Sequence, residues 1–243
     1  MTTSAEAGVV IVAAGRGTRA SDGEAGLKQF RPIGGVPMLL RALKPFAAHP
    51  RVGPIVVALP PADAAAPPDW LRGLLSDRIG VVAGGATRQD SVDHALARLP
   101  ASVGVVLVHD AARPFVDAGL IDRVLAVAAL GACAVPAIPL ADTVKETDAA
   151  GLVVRTVPRD RLVAVQTPQG FPRHMLETAH QRAKADPSAG AVTDDAALCE
   201  RLGYPVRIVA GGPWNLKVTT VEDFAVAEAY AASAAAAAPG PRP

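Results

Sequence analysis

Short runs of apolar, often β-branched residues recur along the chain, each bounded by Gly, Pro or polar residues and most followed by a longer amphipathic stretch. Continuous apolar runs suit strands buried on both faces, and their alternation with helical periods is the rhythm of a parallel sheet with crossover helices. The pattern predicts strands at Gly8–Ala13, Ile55–Leu59, Ile79–Val82, Val105–Val108, Ala132–Val135, Leu162–Gln166, Val206–Val209 and Leu216–Val218. Helices are predicted at Pro37–Ala48, Arg88–Leu99, Asp117–Leu130, Pro172–Ala185, Asp194–Leu202 and Thr220–Ala232, several opening on a capping residue or a Pro in the first turn. The fold class is therefore α/β, a Rossmann-like open and mostly parallel sheet with crossover helices.

One segment departs from this rhythm. Two half-polar strands, 142–147 and 152–157, flank Asp148-Ala149-Ala150-Gly151, which predicts a protruding hairpin arm over about residues 141–158. An isolated two-stranded hairpin is marginal in water and must pack on something, either its own domain or a second subunit, so a homodimer built through the arm is expected. Residues 1–232 read as a single domain. The Ala231–Ala238 run and the Pro-Gly-Pro-Arg-Pro after it read as a frayed helix end, with a disordered tail over 233–243.

Composition narrows the class of function. At 243 residues one core buries roughly three quarters of the unfolded surface, so no disulfide or metal staple is required. Lys+Arg 24 against Asp+Glu 23 gives a net charge of +1, which argues against a nucleic-acid coat or a membrane-surface module. Aromatic residues make up only 4%, so a bound base would find few rings to stack on. Cys133 and Cys199 form no C-x-x-C pair and read as packed thiols in a reducing compartment. The first apolar run is too short to span a bilayer and has no basic region before it, which reads as a cytoplasmic protein.

The candidate chemistry starts where the first strand meets Ala13-Ala14-Gly15-Arg16-Gly17-Thr18-Arg19. Ligands of open parallel sheets bind at the carboxyl ends of strands, and a Gly-rich turn there lets backbone N–H groups approach phosphate oxygens. Gly15, Gly17 and Ala20 fit the dinucleotide pattern G-x-G-x-x-A, but that reading needs an acidic residue about 20 positions on. None occurs between Glu24 and Asp63, the turn continues as loop instead of opening a helix, and no G-K-[ST] supports a P-loop. The loop instead carries Arg16, Arg19 and Lys28, which suit a triphosphate whose α-phosphorus is attacked, because negative charge builds on its oxygens and on departing pyrophosphate.

A second site follows the run Val105-Val106-Leu107-Val108, in His109-Asp110-Ala111-Ala112-Arg113-Pro114. An Asp directly after a buried strand is placed to meet a ribose hydroxyl or a Mg²⁺ ion carried by a nucleotide. His109 has no partner at metal-ligand spacing among His49, His94, His174 and His180, so it reads as a packed, hydrogen-bonded imidazole.

These motifs, with Lys28-Gln29, Asp90-Ser91-Val92, Asp142-Thr143-Val144-Lys145, Thr167-Pro168-Gln169, Thr193-Asp194-Asp195 and Lys217-Val218-Thr219, resemble the 2-C-methyl-D-erythritol 4-phosphate cytidylyltransferase family over essentially the whole chain. The resemblance implies a nucleotidyltransferase-type sheet that joins CTP to a methylerythritol phosphate in the non-mevalonate isoprenoid route, with Mg²⁺. It implies that Arg19 and Lys28 neutralise the transition state at the α-phosphate, and that Arg159 and Lys217 hold the attacking phosphate. Gly85 and Ser91, with the backbone of Ala13 and Ala14, would read cytosine; Gly15 and Gly17 would meet the nucleotide phosphates, and Asp110 the ribose and metal. Arg113, Thr143 and Thr193 would line the sugar-phosphate pocket, with Thr143 and Arg159 reaching a partner subunit's site from the arm. The chain departs from the family's habit at Ala20, where Met is common, at Leu27, where Pro is common, and at Ala86, where an acidic residue is common. A ribitol-5-phosphate cytidylyltransferase shares many of these motifs, and a catalytically idle nucleotide-binding subunit is the alternative from another class.

A phosphate monoester is already anionic near neutral pH, so the reaction requires no side-chain nucleophile and no strong base. In-line positioning and cations that offset the repulsion between two polyanions must carry the catalysis.

Overall fold

The apolar runs become strands because each has two faces to fill. In the computed structural model, which describes residues 7–15, 27–186, 190 and 192–237, the strands are β1 (Ala7–Val12), β2 (Pro32–Ile33), β3 (Val36–Pro37), β4 (Val52–Leu59), β5 (Ile79–Ala83), β6 (Val105–Asp110), β7 (Cys133–Pro139), β8 (Val144–Thr147), β9 (Val153–Val157), β10 (Val163–Val165), β11 (Gln169–Pro172) and β12 (Val206–Ala210). The helices are α1 (Met38–Ala48), α2 (Pro61–Ala65), α3 (Asp69–Arg72), α4 (Arg88–Leu96), α5 (Ala118–Ala128), α6 (Arg173–Ala185), α7 (Asp195–Arg201) and α8 (Val221–Ala237), with a single 3₁₀ turn at Lys28–Phe30. Among the described residues no helix is long and apolar enough to cross a membrane.

The main sheet runs β5-β4-β1-β6-β11-β7, and both β10 and β12 pair with β7. β5, β4, β1 and β6 are mutually parallel, as is β12 with β7, while β11 and β10 run antiparallel to their neighbours. Alternation along β1 sends Val9 and Ile11 into one apolar layer with Leu43, Phe46 and Leu125, and Val10 into the other with Val92, Leu96 and Phe171. Helices therefore cover both faces, and the α/β expectation holds.

Where the sequence reading and the structure differ, local chemistry explains it. Leu216–Val218 is not a strand: it is an extended connector tied by Val218 N–H to the Ala112 carbonyl at 2.8 Å. β7 continues past Val135 through Pro136, whose carbonyl still accepts from Gln166 N–H at 2.7 Å although the residue has no N–H of its own. Pro172 ends β11 and caps α6; it is not the first helical residue. The hairpin β2-β3 turns on Gly34 and Gly35, both at positive φ of 54° and 72°, a conformation that two glycines in succession allow. α8 runs to Ala237, five residues into the segment expected to be disordered, because alanine is the strongest helix former. The rest of that tail, 238–243, lies outside the described residues.

The arm is present as a separate two-stranded sheet, β8 with β9. Asp148 forms its turn by accepting from Ala150 N–H and Leu152 N–H at 2.9 Å each, and Gly151 supplies a φ of +81°.

Candidate active site

The register of the sheet assembles the site. Val12 of β1 pairs with Asp110 of β6 and with Ala58 of β4, and Leu59 of β4 pairs with Ala83 of β5. Four parallel strands thus end side by side, and the chain leaving them lines a cleft of about 1160 Å³. Its walls include Ala13, Ala14, Gly15, Lys28, Gly85, Ser91, Asp110 and Lys217. A Cβ on Gly84 would fall 2.3 Å from the Ala14 Cβ, so glycine is what lets the turns after β1 and β5 touch.

The polar lining is held in place by hydrogen bonds. Thr87 and Asp90 form a capping box at the start of α4, and Ser91 Oγ accepts from Gly85 N–H at 3.1 Å while donating to the Thr87 carbonyl at 2.9 Å. Buried Gln29 donates through Nε2 to the Ala13 carbonyl at 2.7 Å, fixing the exit of β1. Lys28 Nζ donates to the Val218 carbonyl at 2.8 Å, which brings the connector bearing Lys217 to the mouth of the cleft.

A charged wall divides this cleft from a smaller one of about 170 Å³. Asp110, Arg88 and Lys217 line both, and the smaller one is also lined by Arg113, Thr167, Gln169, Thr193 and Asp194, among others. Asp110 Oδ2 accepts from Lys217 Nζ at 2.8 Å and Oδ1 from Arg88 Nε at 3.2 Å. Arg88 also donates through a terminal nitrogen to Asp195 Oδ2 at 2.6 Å, and Asp195 Oδ1 accepts from His180 Nε2 at 2.9 Å. Burial alone would push the pKa of Asp110 and of Asp195 up, but the Arg88 cation, joined at Asp110 by Lys217, holds both carboxyls below the usual range.

His109, fully buried beneath this wall, donates from Nε2 to the Arg113 carbonyl at 3.0 Å. Its Nδ1 therefore accepts from Thr167 Oγ1 at 3.1 Å, and the same hydroxyl accepts from Asp110 N–H. Burial pushes the imidazole down to about 4, so it is neutral and spent on structure, as expected. Arg113 likewise gives its guanidinium to the Asn215 and Val165 carbonyls at 2.7 and 3.2 Å.

The structure brings Ala13, Ala14, Gly15, Lys28, Gly85, Ser91, Asp110 and Lys217 into one cleft, and Arg113 and Thr193 into its neighbour. Gly17 and Arg19 lie outside the described residues. Thr143 and Arg159 line neither cleft of their own chain: both are exposed at the base of the arm, where the Arg159 guanidinium donates to the Ala141 carbonyl.

The sequence matches the family described as IspD: 2-C-methyl-D-erythritol 4-phosphate cytidylyltransferase over residues 7–233. The chain belongs to this cytidylyltransferase family. It is 47% identical over 224 residues to the 2-C-methyl-D-erythritol 4-phosphate cytidylyltransferase of Frankia casuarinae, covering 92% of the chain and 80% of that relative. It is 45% identical over 221 residues to a bifunctional enzyme IspD/IspF of Chelativorans sp., covering 90% of the chain and 54% of that relative. The chain thus spans about half the length of the bifunctional relatives it matches. Among solved structures, the 2-C-methyl-D-erythritol 4-phosphate cytidylyltransferase of Thermus thermophilus superposes with a TM-score of 0.76 at 39% identity, covering 92% of the chain and 98% of that structure.

Within this cytidylyltransferase fold several residues of the site escape sequence reasoning. Arg88, Asp195 and His180 meet only through tertiary packing, Arg88 and Asp195 being 107 residues apart, and Asn215 meets Arg113 in the same way. Gln29, Thr167 and Asp195 fall inside the family motifs, but only the fold shows the carbonyl, the imidazole and the guanidinium that they meet.

Proposed function

We propose that the chain transfers CMP from CTP to 2-C-methyl-D-erythritol 4-phosphate, giving 4-(cytidine 5'-diphospho)-2-C-methyl-D-erythritol and pyrophosphate. The observation that carries this reading is the charged wall, bearing Arg88 and Lys217, shared by two clefts of unequal size, one with a glycine-lined nucleotide floor and one beside Thr193 and Arg113. The family and the relatives named for this reaction support it.

The large cleft, with no aromatic ring among its described lining residues, offers the nucleotide backbone groups and hydroxyls instead. Ala13, Ala14, Gly85 and Ser91 suit the edge of cytosine, and Gly15 suits the triphosphate. Lys28 and Lys217 lie on the same cleft, and Lys217, 46% exposed, also faces the smaller one, where a sugar phosphate would sit. Its ammonium has three donors and Asp110 takes one, leaving others for an incoming phosphate. The attacking oxygen is anionic already, so the protein's part is to hold it in line with the α-phosphorus and offset charge. Arg159 joins this set from the arm of a second copy.

Mg²⁺ supplies charge neutralisation at the triphosphate oxygens when bound with CTP. The residues present fit an ion carried by the nucleotide: Asp110 stays ionised, faces the cleft and keeps lone pairs beyond those given to Arg88 and Lys217. Among the described residues lining the large cleft, Asp110 is the carboxylate.

A homodimer suits the arm, whose Leu152, Val153 and Val154 are 68%, 59% and 61% exposed in the single chain. A cytoplasmic setting suits Cys133 and Cys199, both buried and free. Purified protein given CTP, Mg²⁺ and methylerythritol phosphate is expected to release pyrophosphate, and ribitol 5-phosphate to give little. Turnover of ribitol phosphate alone would overturn the substrate assignment, and turnover of neither would leave an idle subunit.

A further inference from the structure

Arg88 is the first residue of α4, and its backbone is fixed by the capping box immediately before it. Its side chain lines both clefts and spans two carboxylates that lie 22 and 107 residues from it in the sequence. Asp195, itself 1% exposed and held by His180, anchors one arm of the guanidinium. The other arm reaches Asp110 Oδ1, while the third nitrogen is buried without a hydrogen-bond partner. A buried donor left unsatisfied is costly, so the geometry is set by something other than hydrogen-bond economy.

What the geometry achieves is a division of Asp110. One oxygen goes to Arg88 and the other to Lys217, and the wall holds two cations against two carboxylates. Without Arg88 both Asp110 oxygens would be open to the Lys217 ammonium, which would settle between them and away from the clefts. The wall would also carry a net negative charge where two polyanions must meet, and Coulomb repulsion in a partly buried site is poorly screened.

We propose that Arg88 is a positioning residue for the transfer reaction: it holds Asp110 by one oxygen so that Lys217 stays forward, at the junction of the two clefts. This rests on the function proposed above. Arg88 is distinct from the cations expected to touch the phosphates, because its guanidinium is turned to carboxylates and acts through them.

The test compares Arg88→Gln, Arg88→Lys and Asp195→Asn with the wild type in steady-state turnover and thermal unfolding. Arg88→Gln is expected to lower kcat by about 10–100-fold, a share of the 10²–10³ carried by a directly contacting donor, and to change KM for CTP less, since the cytosine floor is untouched. Arg88→Lys is expected to recover part of kcat, because a single ammonium restores charge but cannot fork between two carboxylates. Asp195→Asn is expected to lower thermal stability and to lower kcat less than Arg88→Gln does, since the guanidinium loses its anchor but keeps its bond to Asp110. Equal losses of kcat in Asp195→Asn and Arg88→Gln would make Arg88 a structural tie only and overturn the proposal. If Arg88→Gln does not fold, Arg88→Lys decides: wild-type kcat in it overturns the proposal.

A crystal structure of Arg88→Gln, or of Arg88→Lys, separates this idea from the assigned reaction. Lys217 Nζ displaced toward the second Asp110 oxygen supports the positioning role even if methylerythritol phosphate is not the substrate, and an unmoved Lys217 overturns it.

Discussion

The floor of the cleft and the hairpin arm carry residues of the same kind, yet the chain treats them oppositely. In the floor the charged groups find partners on distant elements: Asp110 from β6 meets Arg88 of α4 and Lys217 of the last connector. In the arm the partners are local, Glu146 with Arg155 at 2.5 Å and Lys145 with Thr156 at 2.6 Å, all across one pair of strands. The floor rests on two apolar layers, whereas the arm presents Leu152, Val153 and Val154 to solvent. A site is complete where the chain's own core can orient it, and incomplete where orientation must come from another surface. The fold of one copy therefore orients Lys217 against Asp110 and leaves Arg159 lining neither of the two clefts described above.

The largest effects are expected from variants that test this division. Lys217→Ala should lower turnover by about 10²–10³-fold, as should Arg159→Ala if a second copy completes the site. Mixing separates the two cases. Re-associated Lys28→Ala and Arg159→Ala dimers should regain about one quarter of the wild-type activity, because half the dimers are hybrid and one of their two sites carries neither lesion. Mixed Lys28→Ala and Lys217→Ala dimers should regain none, since both residues belong to one floor. Recovery in the second mixture, or none in the first despite proven subunit exchange, would reverse the comparison.

The same contrast explains what could be read from the sequence. β1, β4 and β6 were legible because strands buried on both faces write continuous apolar runs, β5 because this half-buried edge strand is apolar as well, and the arm because its half-polar strands break that habit. Ala13 and Asp110 could be placed at strand ends for the same reason, whereas Gly85 came from the family resemblance alone. Arg88 could not: as the first residue of a helix it looks like any solvated arginine, and its meaning comes from Asp195 and Asp110, which no local period brings near. β11 was hidden because it is short and ends on a Pro that also reads as a helix start. Lys217 was legible by motif while its segment was misread, since one backbone hydrogen bond to Ala112, not a ladder, holds it.

The buried floor should also make stability depend on pH in a way the arm cannot. An ordinary imidazole titrates near 6.5, and burial pushes His109 down to about 4. Between these values the unfolded chain binds a proton that the native chain refuses, so stability rises with pH there. The contribution is complete above about pH 6.5 and lost as pH falls to about 4, amounting to about 3 kcal/mol. Denaturant unfolding of wild type and His109→Gln across this range should show a slope shallower by about one proton in the variant. Parallel curves would mean that His109 is protonated in the native protein and that the floor is wetter than its burial indicates.

The smallest effect within one chain is expected from the arm's apolar residues, and that smallness is what makes it informative. Leu152→Ser with Val154→Ser removes side chains that a single copy leaves 68% and 61% exposed, so little burial is lost within the chain. Surface changes of this kind stay within about 0.5 kcal/mol. Sedimentation should show the double variant as monomer at concentrations where wild type is dimer, with monomer unfolding hardly shifted. A dimer that survives the double change would move the subunit contact away from these side chains. A large loss of stability independent of concentration would show that the arm packs on its own domain, and the two regions would then differ only in degree.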